Sequence, residues 1–161
     1  MYHRYRTRWG GHGKPVILTF VYSPLAAAIL GATPDGRHAG DGVAHGLTPH
    51  SQSMTEGITA AVKSCGKLPW EVLNGGASTM WDFDSAWASE PLIEAVIRAF
   101  VAQGGQIFQG NTTSVEELLE ARKRPADFPN LIVRVGGYSA RFVSLSEGLQ
   151  DDIIGRYRHA R

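Results

Sequence analysis

The sequence contains a single cysteine, Cys65, among 161 residues. No internal disulfide can form, which excludes a cross-linked scaffold and suits a reducing cytoplasm. Long apolar runs are also missing. Pro15 to Leu30 comes nearest, but Thr19, Ser23 and Pro24 interrupt it short of the roughly 18 residues a spanning helix needs. The basic start, MYHRYRTRWGGHGK, is followed by no apolar segment and cleavage site of the secretory kind, so neither membrane insertion nor export is expected. Charge excess is missing too. Sixteen Lys and Arg against 15 Asp and Glu leave a formal net charge of +1, which gives no field for nucleic acid or a lipid surface. What the chain has in quantity is glycine, 19 residues, and a hydrophobic share of 43%. Many turns around one buried core are expected, in a single domain over residues 1–161.

Residues 1–14 read as an arm. Pro15 to Tyr22, PVILTFVY, is β-branched and aromatic and predicts a buried strand. Residues 31–50 are nearly all turn formers, with Pro34-Asp35-Gly36 a tight-turn signal; a loop of that length is functional or packed on a partner. Thr55 to Lys67 predicts a helix with Ile58, Ala61, Val62 and Cys65 on one side, and Val72 to Phe83 a strand followed by loop. Ser89 to Gln103 is the clearest helix: Ser89 at the N-cap, Glu90 and Pro91 in the first turn, and Leu92, Ile93, Val96, Ile97, Phe100 and Val101 at helical spacing. Gln106 to Gly110 predicts a short strand. Ser114 with Glu117 forms a capping box for a helix that Pro125 stops. Asn130 to Val135 predicts another strand. Ser146 to Arg158 predicts a last helix with Leu149, Ile153, Ile154 and Tyr157 on one face, and Arg156 and Arg158 at its C-terminus. Strands alternating with helices predict an α/β fold with parallel strands, and at most four strands make it a piece of a larger sheet or barrel.

Several motifs read more simply than they first look. Gly10 to Pro15, GGHGKP, imitates a phosphate loop but lacks the preceding strand, the hydroxyl residue after Lys14 and the following helix. His38, His45 and His50 follow no metal-ligand spacing and read as surface or partner-facing histidines, so no metal is expected. Asp82 with Asp84, or Asp151 with Asp152, could be taken for an acid–base pair, but neither has a partner to orient it; Asp151 and Asp152 read as the wet face of the last helix. Asn111-Thr112-Thr113 is a chance match to a glycosylation acceptor. Val133 to Phe142, VRVGGYSARF, would by itself be a strand entering a tight turn.

Its surroundings change that reading. RVGGYSARF followed by LSEGLQDDIIGR resembles the C-terminal signature of the glycyl radical enzymes, the family of pyruvate formate-lyase, glycerol dehydratase and the arylacetate decarboxylases. GATPDGRHAG (Gly31 to Gly40), with Thr33, Pro34, Asp35, Gly36 and Arg37, resembles the family's turn segment. TAAVKSCGKLP (Thr59 to Pro69) resembles the helix after it, and DFPNLIVRV the approach to the glycine. The likeness runs from about Val16 to His159.

By that resemblance Gly137 carries the radical, on a loop over residues 133–142 in which Arg134, Val135, Gly136, Tyr138, Ser139, Arg141 and Phe142 act as supports. Loss of one α-hydrogen leaves an electron shared between an amide nitrogen that donates and a carbonyl that withdraws. The α-carbon must become flat, which a side chain would crowd. The resemblance further implies that the loop swings out for activation and back to be buried. The radical then passes to a cysteine on an opposing loop, and the resulting thiyl attacks a small-molecule substrate. Activation would come from a separate radical S-adenosylmethionine enzyme carrying an iron–sulfur cluster. The implied fold is the C-terminal part of a ten-stranded α/β barrel, incomplete without a partner chain. Family members are several times longer, and Cys65 falls on the helix after the turn, not on a cysteine loop; it reads as a small buried residue. The expectation is therefore a radical-bearing small subunit, inactive alone, of a split lyase whose larger, cysteine-bearing subunit completes it. The reaction would be radical C–C, C–O or C–N cleavage, with dehydration and decarboxylation both open. Alternatives are a spare part that restores an oxygen-damaged enzyme, and a non-catalytic binding domain that keeps the fold. Gly136 and Ser139 resemble the dehydratase, lyase and decarboxylase branch.

Overall fold

The computed structural model describes residues 4–17, 22–50, 53–73 and 75–157. In chain order the elements are α1 (Tyr22–Ile29), α2 (Gly57–Cys65), β1 (Ser78–Asp84), α3 (Glu90–Ala102), β2 (Ile107–Thr113), α4 (Val115–Lys123), β3 (Ile132–Arg134), β4 (Ser139–Arg141) and α5 (Glu147–Arg156). β1 and β2 pair in parallel from Ser78 opposite Ile107 to Asp84 opposite Thr113, with α3 as the crossover. This is the expected α/β unit. β3 and β4 pair antiparallel, Val133 opposite Ala140, and form a separate two-stranded sheet. The expectation of parallel strands alone thus fails at Gly136-Gly137, which fold the chain directly back.

Other expectations change as well. Only residues 15–17 and 22 of the strand expected over Pro15 to Tyr22 are described. Ile17 makes a single parallel bridge to Ala77, and Tyr22 already begins α1; the remainder lies outside the described residues, as does Arg158. No helical stripe announces α1, since its alanines suit a helix without marking a face. β1 starts at Ser78 and takes in Trp81 to Asp84, and six of its seven residues are buried, the pattern of a strand covered on both faces. On α3, Val96 and Phe100 are buried while Ile97 and Val101 are exposed, because the helix packs on one side only. Ser89 stands at the N-cap with extended backbone but its hydroxyl makes no capping bond; Ser114 does cap α4, accepting from the Glu117 N–H at 3.3 Å.

Two hydrophobic clusters result. Trp70, Trp81, Phe83 and Phe100 form an aromatic one with Met54, Ile58, Val62, Cys65 and Val96, joined by Phe108. Trp70 and Phe100 meet edge to face at 5.6 Å between centroids, as do Phe100 and Phe108 at 5.5 Å. The second cluster is mostly aliphatic: Leu118, Ala121, Val133, Val135, Phe142, Ile153 and Tyr157. Burying side chains of this size contributes about 1.5–3 kcal/mol each. The loop over residues 42–48 lies along β1, where the Leu47 N–H donates to the Ser78 carbonyl at 2.9 Å. Gly46 permits this approach. Its φ is +61°, and a Cβ there would stand 2.2 Å from the Ser78 oxygen.

Candidate functional site

The hairpin of β3 and β4 is closed by the Val135 N–H donating to the Tyr138 carbonyl at 2.9 Å. Between them Gly136 is buried and Gly137 is exposed, with φ +74°. That left-handed conformation costs an ordinary residue about 1–2 kcal/mol, so a glycine is favoured at 137 on backbone grounds alone. The floor of the hairpin is apolar. Val133, Val135 and Phe142 are at most 1% exposed and rest on Leu118, Ala121 and Ile153. Phe142 is fixed further by its N–H, which donates to the Leu131 carbonyl at 2.8 Å, and by the Gln150 amide, which donates to its carbonyl at 3.1 Å.

The other side of the hairpin meets β2, and there the fastening is polar. Along β2, Gln109, Asn111 and Thr113 are buried while Gly110 and Thr112 are exposed, so the inward face is the hydrophilic one. Asn111 grips the backbone of Arg134 at both ends: its Oδ1 accepts from the Arg134 N–H at 2.6 Å and its Nδ2 donates to the Arg134 carbonyl at 3.0 Å. The same Nδ2 donates to Asp82 Oδ1 at 2.6 Å. Gln109 Oε1 accepts from the Gly137 N–H at 2.7 Å and from Arg134 Nε at 3.2 Å, and its Nε2 donates to Ser78 Oγ at 2.6 Å.

Behind this layer lies an ion cluster. Arg156 Nη1 donates to the Arg134 carbonyl at 3.3 Å, while its Nη2 pairs with Asp152 at 2.6 Å. His45 Nε2 stands 3.0 Å from the other oxygen of Asp152. Burial pushes the Asp152 carboxyl up, but the His45 hydrogen bond and the Arg156 charge outweigh it and hold the group below its ordinary value. Asp82, fully enclosed, goes the other way: burial raises it, and the Arg156 charge and the Asn111 hydrogen bond only partly compensate. Two expectations are corrected here: His45 is not a surface side chain and Asp152 does not lie on the wet face of its helix, because His45 and Arg156 both pair with Asp152. Arg156 stands in the last turn of α5 as expected, with its charge on Asp152. Asp151 does lie outward, paired with Arg122.

Of the residues expected on the loop, Val135, Gly136 and Phe142 are buried and Arg134 is half-buried, all under or beside Gly137. Tyr138, Ser139 and Arg141 are exposed and contribute through their backbone, Tyr138 by accepting the bond that closes the turn and Ser139 and Arg141 by pairing with Arg134 and Ile132. Thr33 to Arg37 form the expected turn, closed by the Thr33 N–H donating to the Arg37 carbonyl at 2.9 Å. The Arg37 guanidinium binds the carbonyls of Gly31, His38 and Asp41, all within the same loop and apart from the hairpin. Asp84 Oδ1 accepts from the Ala86 N–H at 2.9 Å and ends β1. Cys65 is 3% exposed in the aromatic cluster, its thiol donating to the Leu47 carbonyl at 3.3 Å and pushed up to about 11 by burial. A thiol so placed is inert. Gln109 has no reading from sequence, Asn111 reads there only as part of a chance glycosylation match, and Arg156 only as a charge at a helix C-terminus. The signal was available for the first two, as polar residues at a spacing of two in a strand whose intervening residues are glycine and threonine.

Among the described residues no group of His, Cys, Asp and Glu is arranged to hold a metal ion, and no helix is long and apolar enough to cross a membrane. The tip of the hairpin offers two peptide groups and a bare α-carbon, with the Gly137 N–H already accepted. That is poor equipment for acid–base or nucleophilic chemistry and suits chemistry at the α-carbon itself.

The family model described as "Glycine radical" matches residues 43–143. The chain is 39% identical over 132 residues to the trans-4-hydroxy-L-proline dehydratase of Clostridioides difficile, covering 80% of this chain and 17% of that protein. It is 40% identical over 142 residues to the "Probable dehydratase YbiW" of Escherichia coli (strain K12), covering 84% and 17%. Among solved structures, the glycerol-bound form of the B12-independent glycerol dehydratase from Clostridium butyricum superposes with a TM-score of 0.86 at 34% identity, over 96% of this chain and 20% of that one. The chain thus spans a fifth or less of the length of these relatives. With its glycine hairpin seated on the aliphatic cluster and fastened to β2, this chain belongs to the glycyl radical enzyme family, whose C-terminal glycine radical domain, with a glycyl radical as cofactor, it carries.

Proposed function

We propose that this chain is the radical-bearing part of a two-part glycyl radical lyase, in which Gly137 stores the unpaired electron. The observation that carries the proposal is the position of Gly137: the residue at the tip of the hairpin, at positive φ, with its N–H accepted by a side chain and its α-carbon open. In activation one hydrogen atom leaves the Gly137 α-carbon, taken by a separate radical S-adenosylmethionine enzyme with an iron–sulfur cluster. In turnover Gly137 recovers a hydrogen atom from a cysteine thiol of the larger chain, which leaves a thiyl radical to attack the substrate. Cys65 is not that cysteine, since its thiol is enclosed in the aromatic cluster.

Two features favour a larger partner. The hairpin tip, which a radical requires to be shielded from oxygen, is exposed in this chain. Leu25 and Ile29 on α1 are 62% and 84% exposed and Ile132 on β3 is 63% exposed, apolar surface that a completed ten-stranded barrel would cover. The matching relatives are named as dehydratases, which favours C–O cleavage with loss of water from a small hydroxylated substrate over decarboxylation. An oxygen-sensitive radical belongs in the cytoplasm.

The test is anaerobic activation of the chain with its partner, the activating enzyme, S-adenosylmethionine and a reductant. Electron paramagnetic resonance is expected to show the doublet of a glycyl α-hydrogen, and air is expected to cut the backbone at residue 137. Gly137→Ala is expected to abolish both; an unchanged signal in that variant overturns the proposal.

A further inference from the structure

Resting on the assignment of Gly137 as the radical residue, we propose that Gln109 is the latch of the hairpin: its side-chain oxygen holds the Gly137 N–H while the hairpin is seated, and its release sets how readily the hairpin leaves.

The orientation of the Gln109 amide is fixed by its partners. The Nε2 group donates to Ser78 Oγ at 2.6 Å, so Oε1 faces the hairpin, where it accepts from Gly137 at 2.7 Å and from Arg134 Nε at 3.2 Å. Turned over, the amide would set its NH2 against two donors. Gln109 is 8% exposed and Ser78 2%, so water competes weakly for either end. The bond that closes the turn, from Val135 to Tyr138, lies within the hairpin and travels with it. The grip of Asn111 falls three residues earlier, on the Arg134 backbone. Gln109 is therefore the side chain that reaches from the sheet to the glycine itself. An acceptor on this N–H has a second consequence. It leaves more electron density on the nitrogen and holds the peptide plane still, and both favour sharing of an unpaired electron at the adjacent α-carbon. Gln109 is a positioning residue; it touches the radical residue's N–H and supplies no reacting atom.

Hydrogen–deuterium exchange of the full chain reads the latch without any radical. Gln109→Leu removes the acceptor and is expected to speed exchange over residues 135–138 about tenfold, the worth of one such hydrogen bond, with α4 and α5 unchanged. Gln109→Glu keeps an acceptor for both Gly137 and Arg134, and the Ser78 hydroxyl can rotate to donate. This variant is expected to stay within about threefold of the parent. After activation, the glycyl doublet of the Leu variant is expected to decay in air about tenfold faster than that of the Glu variant. An unmoved loop in Gln109→Leu, equal loosening in both variants, or loosening that spreads through α5 overturns the proposal. The two readings fail separately. A doublet in the parent with unmoved exchange in the Leu variant sinks the latch alone, whereas a working latch in a chain that never yields a doublet sinks the radical assignment.

Discussion

The β1–β2 pair and the β3–β4 hairpin are fastened to the molecule by different means. β1 and β2 share a continuous parallel ladder from Ser78 to Asp84, and the rings of Trp81, Phe83, Phe100 and Phe108 pack on it. The hairpin joins β2 through side chains, Gln109 and Asn111, and rests on aliphatic residues beneath. A ladder breaks only by unfolding, because every residue adds a bond along the same line. A few side-chain bonds at one edge can open together while the strands that carry them keep their shape. The difference teaches which half is held by a continuous ladder and which by side-chain bonds at one edge, and the proposed function would need the second half to open.

The comparison is tested most sharply by removing one large side chain from each region. Phe142→Ala and Phe100→Ala each delete a ring no more than 2% exposed, and each is expected to cost about 3–5 kcal/mol of stability in denaturant titrations. Their local signatures should differ. Phe142→Ala is expected to speed amide exchange over residues 131–145 well beyond the global effect, whereas Phe100→Ala should raise exchange in β1 and β2 only through global unfolding. Matching patterns would mean that the two regions open as one.

A second test bears on the ion cluster between the regions. Arg156→Met removes the counter-charge of Asp152 and leaves that carboxylate buried, at an expected cost of about 3 kcal/mol near neutral pH. The pH dependence has a definite sign. In the fold the Asp152 carboxyl is held below its ordinary value, so its ionised form adds stability above that value and loses it as pH falls through the lowered one. The deficit of the variant should therefore be full at neutral pH and close as the solution is acidified through and below the ordinary carboxylate range. A deficit that stays constant would show that Arg156 acts through packing and its bond to the Arg134 carbonyl instead.

How much of this was legible in the sequence follows the same division. Helices α2 to α5 could be read because their signals are local: an apolar stripe, Ser114 set before Glu117, Gly104-Gly105 after Phe100. Of the parallel pair, β2 could be read in its first half, and the sequence places β1 too early. The glycine pair could be read as a turn, and its neighbours carried the family. The clasp could not be read in the same way. Asn111 looked like part of a glycosylation match, Asp152 like a solvated helix face and His45 like one histidine among several in a loop. Each acquires its role from a partner far along the chain, His45 from Asp152 and Asn111 from Arg134, and no spacing rule encodes such a meeting. α1 was missed for a different reason: its apolar residues are largely exposed in this chain, so no buried stripe exists to be seen.

The smallest effect comes from the joint between the two regions. α4 starts at Ser114, directly after β2, and carries Leu118 and Ala121, both fully buried beneath the hairpin. Ser114→Ala removes the acceptor for the Glu117 N–H and is expected to cost about 1 kcal/mol. Because α4 supplies the floor of the hairpin and no residue of the aromatic cluster, exchange should quicken over residues 115–121 and 133–142 and stay unchanged over β1 and α3. Equal quickening on both sides would place the hairpin and the parallel pair in one cooperative unit, and release of the loop would then have to drag the frame with it.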